Sequence, residues 1–152
     1  MVEFFDYNCG YCKRALPDMV ELLKTNPNLK FILKEFPVLG EGSVEAARVA
    51  VAVRMQDASG KKYLEFHQKL LGGRGPADKA HALAAAKDLG FDMARIEKDM
   101  NSDEAKETID ENLKLADAIG VSGTPTYVVG NEVVVGAVGL DTLKEKLAAE
   151  QN

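Results

Sequence analysis

Apolar positions follow two rhythms along the chain. Near its ends they gather into short runs, Val2 to Tyr7, Leu29 to Phe36, Pro125 to Val129 and Val133 to Gly136, bounded by Asn, Gly or Pro. Runs of this length and composition predict strands. Between about residues 43 and 119 the apolar residues instead return every three or four positions, as in Val44, Ala47, Val51 and Met55, and again in Ala105, Ile109, Leu113 and Ala116. That spacing predicts amphipathic helices over Ser43–Gln56, Lys61–Leu71, Ala77–Leu89, Asp92–Met100 and Ser102–Ile119. Ser43, Asp92 and Ser102 stand where N-caps belong, and Gly90 and Gly120 where helices stop. Two more helices are predicted outside this stretch: Gly10–Lys24, with Pro17 expected to kink it, and Leu140–Ala149, with Asp141 near its start.

In chain order the elements read strand, helix, strand, then helices, then two strands joined at Gly130-Asn131, then a last helix. The outer parts make βαβ followed by ββα. This predicts an α/β thioredoxin fold with an all-helical insertion, in one domain over residues 1–152. Residues 1–38 and 120–152 form its core, and the insertion covers about 43–119.

Composition narrows the function. With 152 residues, 46% of them hydrophobic, the chain can bury a real core. The net charge of −5 and the single scattering of Lys and Arg argue against nucleic acid as a partner. No apolar run approaches the roughly 20 residues that cross a bilayer, so no stable membrane insertion is expected. Met1-Val2-Glu3 opens directly in a strand, without the charged and apolar regions of a signal peptide. The residues alone do not give a compartment.

The two cysteines, Cys9 and Cys12, are separated by Gly10 and Tyr11 and placed between a strand and a helix. A tetrahedral zinc site wants four ligands, and there is no second cysteine pair. His67 and His81 lie far along the chain and read as surface or core-edge residues, so no metal and no cofactor is expected. A permanent structural disulfide would close too short a loop to stabilise much. Redox chemistry remains. At a helix start, Cys9 meets unpaired N–H groups and the positive end of the helix dipole, which favour its thiolate as the attacking nucleophile. Cys12, one turn further, can resolve the mixed disulfide.

The segment Val2-Glu3-Phe4-Phe5-Asp6-Tyr7-Asn8-Cys9-Gly10-Tyr11-Cys12-Lys13, the helical insertion and Gly123-Thr124-Pro125-Thr126 resemble the DsbA-like thiol:disulfide oxidoreductases of the bacterial envelope. The resemblance spans essentially the whole chain. It implies a periplasmic or otherwise exported protein acting on cysteine-containing protein substrates, with a membrane redox partner that resets the cysteine pair. It also implies that Thr124-Pro125 is a cis bond beside the cysteines, leaving the Thr124 backbone free to pair with an extended client; a trans proline starting an edge strand is the plain alternative. By analogy with the buried acid of thioredoxin-like proteins, Glu3 is expected beneath Cys12, desolvated and relaying its proton. Lys34 is its expected charge partner, and a pair that merely satisfies polar groups is the plainer reading.

Strongly oxidising members carry histidine where this chain has Tyr11. Gly10, Tyr11, Thr124 and Pro125 together look more like a disulfide isomerase's client-facing surface. The reading is therefore an isomerase or reductase, with a dithiol oxidase of moderate strength as the alternative. Envelope isomerases carry a leading segment that joins catalytic domains; a chain beginning at Val2 would act as a monomer and isomerise poorly, unless such a segment has been trimmed. A non-catalytic chaperone holding copper(I) on the two thiolates is the contrasting possibility. Met55, Met93 and Met100 are read as core, with an adaptable client surface as the alternative.

Overall fold

The computed structural model describes residues 1–150. β1 (Val2–Phe5) leads through α1 (Gly10–Thr25) to β2 (Ile32–Glu35). Then come α2 (Glu41–Met55), α3 (Lys61–Leu71), α4 (Lys79–Asp88), α5 (Met93–Asp99) and α6 (Asp103–Ile119). β3 (Thr126–Val129), β4 (Glu132–Val135) and α7 (Leu140–Glu150) complete the order. The strands form one sheet, β2-β1-β3-β4, with β1 parallel to β2 and antiparallel to β3, and β3 antiparallel to β4. This is the thioredoxin fold, with five helices between its halves.

Local hydrogen bonds explain where prediction and structure part. The first strand ends at Phe5 rather than Tyr7 because Asp6 starts a turn: the Cys9 N–H bonds the Asp6 carbonyl at 3.1 Å and the Asn8 N–H its carboxylate at 2.8 Å. Leu29 likewise bonds back to Asn26, at 3.0 Å, so β2 begins only at Ile32. Ser43 is not an N-cap. It lies in the first turn of α2, behind a cap at Gly40 whose φ of 107° suits glycine. α4 starts at Lys79 instead of Ala77, since the Asp78 carboxylate accepts the His81 N–H at 2.9 Å and caps it there. Asp92 and Ser102 do cap α5 and α6, and Gly120 ends α6 in the left-handed conformation at φ 78°. Pro17 lies within α1, which continues to Thr25.

Alternation along β1 sends Val2 and Phe4 to one face of the sheet and Glu3 and Phe5 to the other. On the first face Phe4 meets Phe36 edge-on at 5.8 Å, beneath Ala116 of α6 and Val121. On the second, Tyr127 stands in register with Glu3 and packs with Leu22 of α1 and Leu143 of α7. Phe5 and Tyr7 carry that face into the largest cluster, which holds both cysteines with Val53, Phe66 and Ala86 of the insertion. The two helical stripes read from the sequence pack on each other, Ala47 and Val51 against Ala105 and Ile109. Met100 is buried, and Met55 and Met93 pack half-buried against the core, so the methionines fill the interior.

His67 departs from its expected place. Its helix was legible, but the ring turns inward and is 1% exposed, sharing a hydrogen bond of 3.2 Å with the Tyr7 hydroxyl and meeting the Phe5 ring edge-on. Burial pulls its pKa down to about 3, so the ring is neutral. His81 is exposed and pairs with Asp78.

Candidate active site

Cys9 occupies the N-cap of α1, with φ −81° and ψ 116°. Its sulfur accepts the Cys12 N–H at 3.2 Å, and its thiol donates to the Thr124 carbonyl at 3.4 Å. A cap side chain aimed at the N–H three residues on is what a serine or aspartate does at a helix start; here sulfur takes that position. Cys12 follows on the same helical face. Both are free thiols, 5% and 1% exposed. Burial above all, then the Cys9 sulfur, pushes the Cys12 thiol far up, while the Asp6 N–H and Thr124 pull weakly the other way. Cys12 therefore keeps its proton until a base removes it.

The Thr124–Pro125 peptide bond is cis. Thr124 lies 115 residues beyond Cys9 in sequence, and the sheet brings its carbonyl onto the cysteine sulfur. Gly10 and Tyr11 are exposed at the start of α1, and the Arg14 guanidinium lies 4.4 Å from the centre of the Tyr11 ring. Lys13 reaches across to the Leu71 carbonyl at 3.0 Å; burial lowers its pKa, and the nearby cysteine sulfurs oppose that shift.

Glu3 is 3% exposed, and burial pushes its carboxyl up to about 8. The expected partner is not there. In the parallel register Phe4, not Glu3, stands opposite Lys34, so the lysine projects from the face away from Glu3. Strand adjacency alone suggests Lys34 beside Glu3, but the register decides the face. Across the ladder from Glu3 is Tyr127, whose hydroxyl is pushed well up by burial and then by the charges of Glu3 and Cys12. Glu3 and Cys12 thus share the surroundings of one buried phenol beneath α1.

Two buried polar groups escaped the sequence reading. The first surrounds the turn before Cys9. The Asp6 carboxylate accepts the N–H groups of Asn8, Val38 and Leu39 at 2.8, 2.8 and 3.0 Å and the Ser43 hydroxyl at 2.7 Å. Asn8 in turn donates to Ser43 Oγ and the Ala77 carbonyl, both at 2.8 Å, and accepts the Ala77 N–H at 2.7 Å. An Asp and an Asn just ahead of a helix-capping cysteine were the available signal. The second group centres on Glu35, pushed by burial up to about 8, which accepts from the Tyr63 hydroxyl through Oε2. Among the described residues its Oε1 has no partner. The signal there matched that at Glu3, a lone acid in an apolar strand. Glu35 also lines a groove of about 1060 Å³ along the outer edge of β2, away from the cysteine pair.

Known structures share this fold across nearly the entire chain. A thioredoxin-like oxidoreductase from Silicibacter pomeroyi DSS-3 superposes with a TM-score of 0.91 at 38% identity, over 99% of this chain and 84% of that one. The thiol-disulfide exchange protein alpha-DsbA2 of Wolbachia pipientis gives 0.89 at 32%, over 98% and 80%. A periplasmic thioredoxin-like protein from Salmonella enterica serovar Typhimurium gives 0.84 at 32%, over 98% and 82%. Among curated sequences, a Na(+)/H(+) antiporter NhaA 1 of Salinispora arenicola is 30% identical over 94% of this chain, which spans only 22% of that protein's length. The model of the DSBA-like thioredoxin domain matches residues 1–148. A cysteine pair at the head of α1, a cis proline against it and a helical insertion are thus the features of a chain that belongs to the DSBA-like thioredoxin domain family.

Proposed function

We propose that the protein is a thiol:disulfide oxidoreductase of exported polypeptides that works as an isomerase or reductase, and that Cys9, Cys12 and Glu3 carry the chemistry. The observation that supports it most is Cys9 itself, a helix-capping thiol held between the Cys12 N–H and the Thr124 carbonyl. In the reducing direction the Cys9 thiolate attacks one sulfur of a client disulfide. A Cys9–client bond forms, the client S–S bond breaks, and one client thiolate leaves. Cys12 then loses its proton to Glu3 and attacks the Cys9 sulfur. The Cys9–Cys12 bond forms and the second client thiolate leaves and takes up a proton, so two electrons have passed to the client. Isomerisation ends instead when another client thiol displaces Cys9. Gly10, Tyr11, Thr124 and Pro125 form the client-facing rim.

Tyr11 favours this direction over strong oxidation, because a phenol places no ring cation beside Cys9 at neutral pH. Resetting the pair falls to a membrane redox partner. The exported setting rests on the likeness to the Salmonella periplasmic protein; among the described residues no helix is long and apolar enough to cross a membrane.

The test is the equilibrium of the Cys9–Cys12 pair with glutathione, read by thiol trapping, with Cys12→Ser as the variant that stops at the mixed disulfide. A potential of about −180 mV or lower supports the isomerase or reductase direction, and one near about −120 mV makes the protein an oxidase. Cys9→Ser is expected to abolish exchange, by more than about a thousandfold. A pair that does not cycle overturns the reading.

A further inference from the structure

We propose that Asn8 is a positioning residue that couples the helical insertion to the nucleophile and so tunes the stability of the reduced cysteine pair. The inference rests on the thiol–disulfide reading above.

Asn8 immediately precedes Cys9 and is held at four points. Its N–H bonds the Asp6 carboxylate at 2.8 Å. Both Nδ2 hydrogens are used, one on Ser43 Oγ and one on the Ala77 carbonyl, and Oδ1 takes the Ala77 N–H. No smaller side chain offers two donors and an acceptor in one plane, and an aspartate at this position would set oxygen against the Ala77 carbonyl. The partners come from separate parts of the insertion, Ser43 from the first turn of α2 and Ala77 from the approach to α4. The peptide that carries Cys9 is therefore fixed to the insertion rather than to the sheet alone.

Lys13 repeats the arrangement on the other side of the cysteines, through Leu71. Leu71 and Ala77 are the two ends of the exposed loop Gly72-Gly73-Arg74-Gly75-Pro76. The residues flanking the motif thus hold both ends of one loop, and a client approaching Cys9 meets a surface whose placement depends on Asn8.

The redox consequence follows from which contacts exist in which state. As a thiol, Cys9 donates to Thr124 O; once the Cys9–Cys12 bond has formed, that hydrogen is gone. Contacts that need the reduced sulfur in one place stabilise the dithiol relative to the disulfide. Loosening the turn that aims the sulfur weakens those contacts and favours the disulfide.

The experiment equilibrates the full chain with glutathione, one dithiol and one glutathione disulfide giving one protein disulfide and two glutathione molecules, in wild type, Asn8→Ala and Ser43→Ala. Urea unfolding runs alongside. The expected result is a shift of three- to tenfold toward the protein disulfide in Asn8→Ala, a smaller shift of the same sign in Ser43→Ala, and a larger loss of kcat/KM toward a protein client than toward glutathione. Variants that lose stability while keeping the wild-type exchange constant assign Asn8 a structural role only and overturn the proposal. If Asn8→Ala does not fold, an unchanged constant in Ser43→Ala has the same force. A wild type that fails to exchange with glutathione removes the catalytic reading itself, an outcome distinct from cycling variants with unchanged constants.

Discussion

Glu3 and Asp6 are buried acids three residues apart on one segment, 3% and 1% exposed, and they are built for opposite purposes. Asp6 accepts from four donors, three backbone N–H groups and a serine hydroxyl. Glu3 has no side-chain hydrogen bond or ion pair among the described residues, and burial alone raises its carboxyl to about 8. A carboxylate surrounded by donors is a fixed acceptor that shapes the chain around it. One without donors holds its proton loosely enough near neutral pH to pass it on. Burial is common to both, so it is the supply of donors that separates the structural acid from the candidate catalytic one.

The largest break in this contrast comes from Asp6→Asn. One oxygen becomes an NH₂ group facing either Ser43 and Asn8 or the N–H groups of Val38 and Leu39, so donors meet donors in a buried site. A loss of about 3 kcal/mol is expected from unpairing such groups, read as a lowered urea midpoint at unchanged m-value. A loss under about 1 kcal/mol would mean that the four bonds do not organise the turn.

Glu3→Gln is expected to move stability the other way. The carboxyl rises from its ordinary 4.5 to about 8 on folding, so between those values the folded state binds more protons than the unfolded one. The contribution of Glu3 to stability is greatest below about pH 4.5 and falls as pH climbs toward 8. At pH 7 the accumulated cost is about 3 kcal/mol, taking roughly 1.4 kcal/mol per pH unit. Glutamine removes that contribution, so the variant should be more stable at pH 7 and its urea midpoint should fall less from pH 5 to 8 than that of wild type, with Glu35 keeping a slope of its own. Release of the mixed disulfide should slow by on the order of tenfold or more, as expected for loss of a general base. Unchanged release would take Glu3 out of the mechanism and leave the acid only a destabilising one.

The same two residues show what could be read in advance. Apolar neighbours made the burial of Glu3 legible, and strand-helix-strand order made the fold legible, because both depend on periods of two or three to four residues. The helical stripes were legible for the same reason, and they meet as their pattern implied. Asp6 was not legible as a hub, since its partners Val38, Leu39 and Ser43 lie more than thirty positions away and are brought in by a turn of no distinctive sequence. Ser43 illustrates the cost: a serine before an apolar run has the signature of a cap, yet its hydroxyl is taken by Asp6, and Gly40 starts the helix. His67 was misplaced because helical spacing gives a face only to within a residue.

Lys34→Met should have the smallest effect, and it tests the register directly. If Lys34 faced Glu3, losing the cation would raise the carboxyl further, deepening the decline in stability between pH 5 and 8. In the observed register Lys34 stands opposite Phe4, and the sheet separates it from Glu3. The slope of urea stability against pH should then match wild type within about 0.3 kcal/mol across that range, and Lys34→Met in the Glu3→Gln background should add only its own small surface term. A steeper slope in Lys34→Met that vanishes in the double variant would show the two residues coupled. That result would restore to Glu3 a partner and move it toward the class of Asp6.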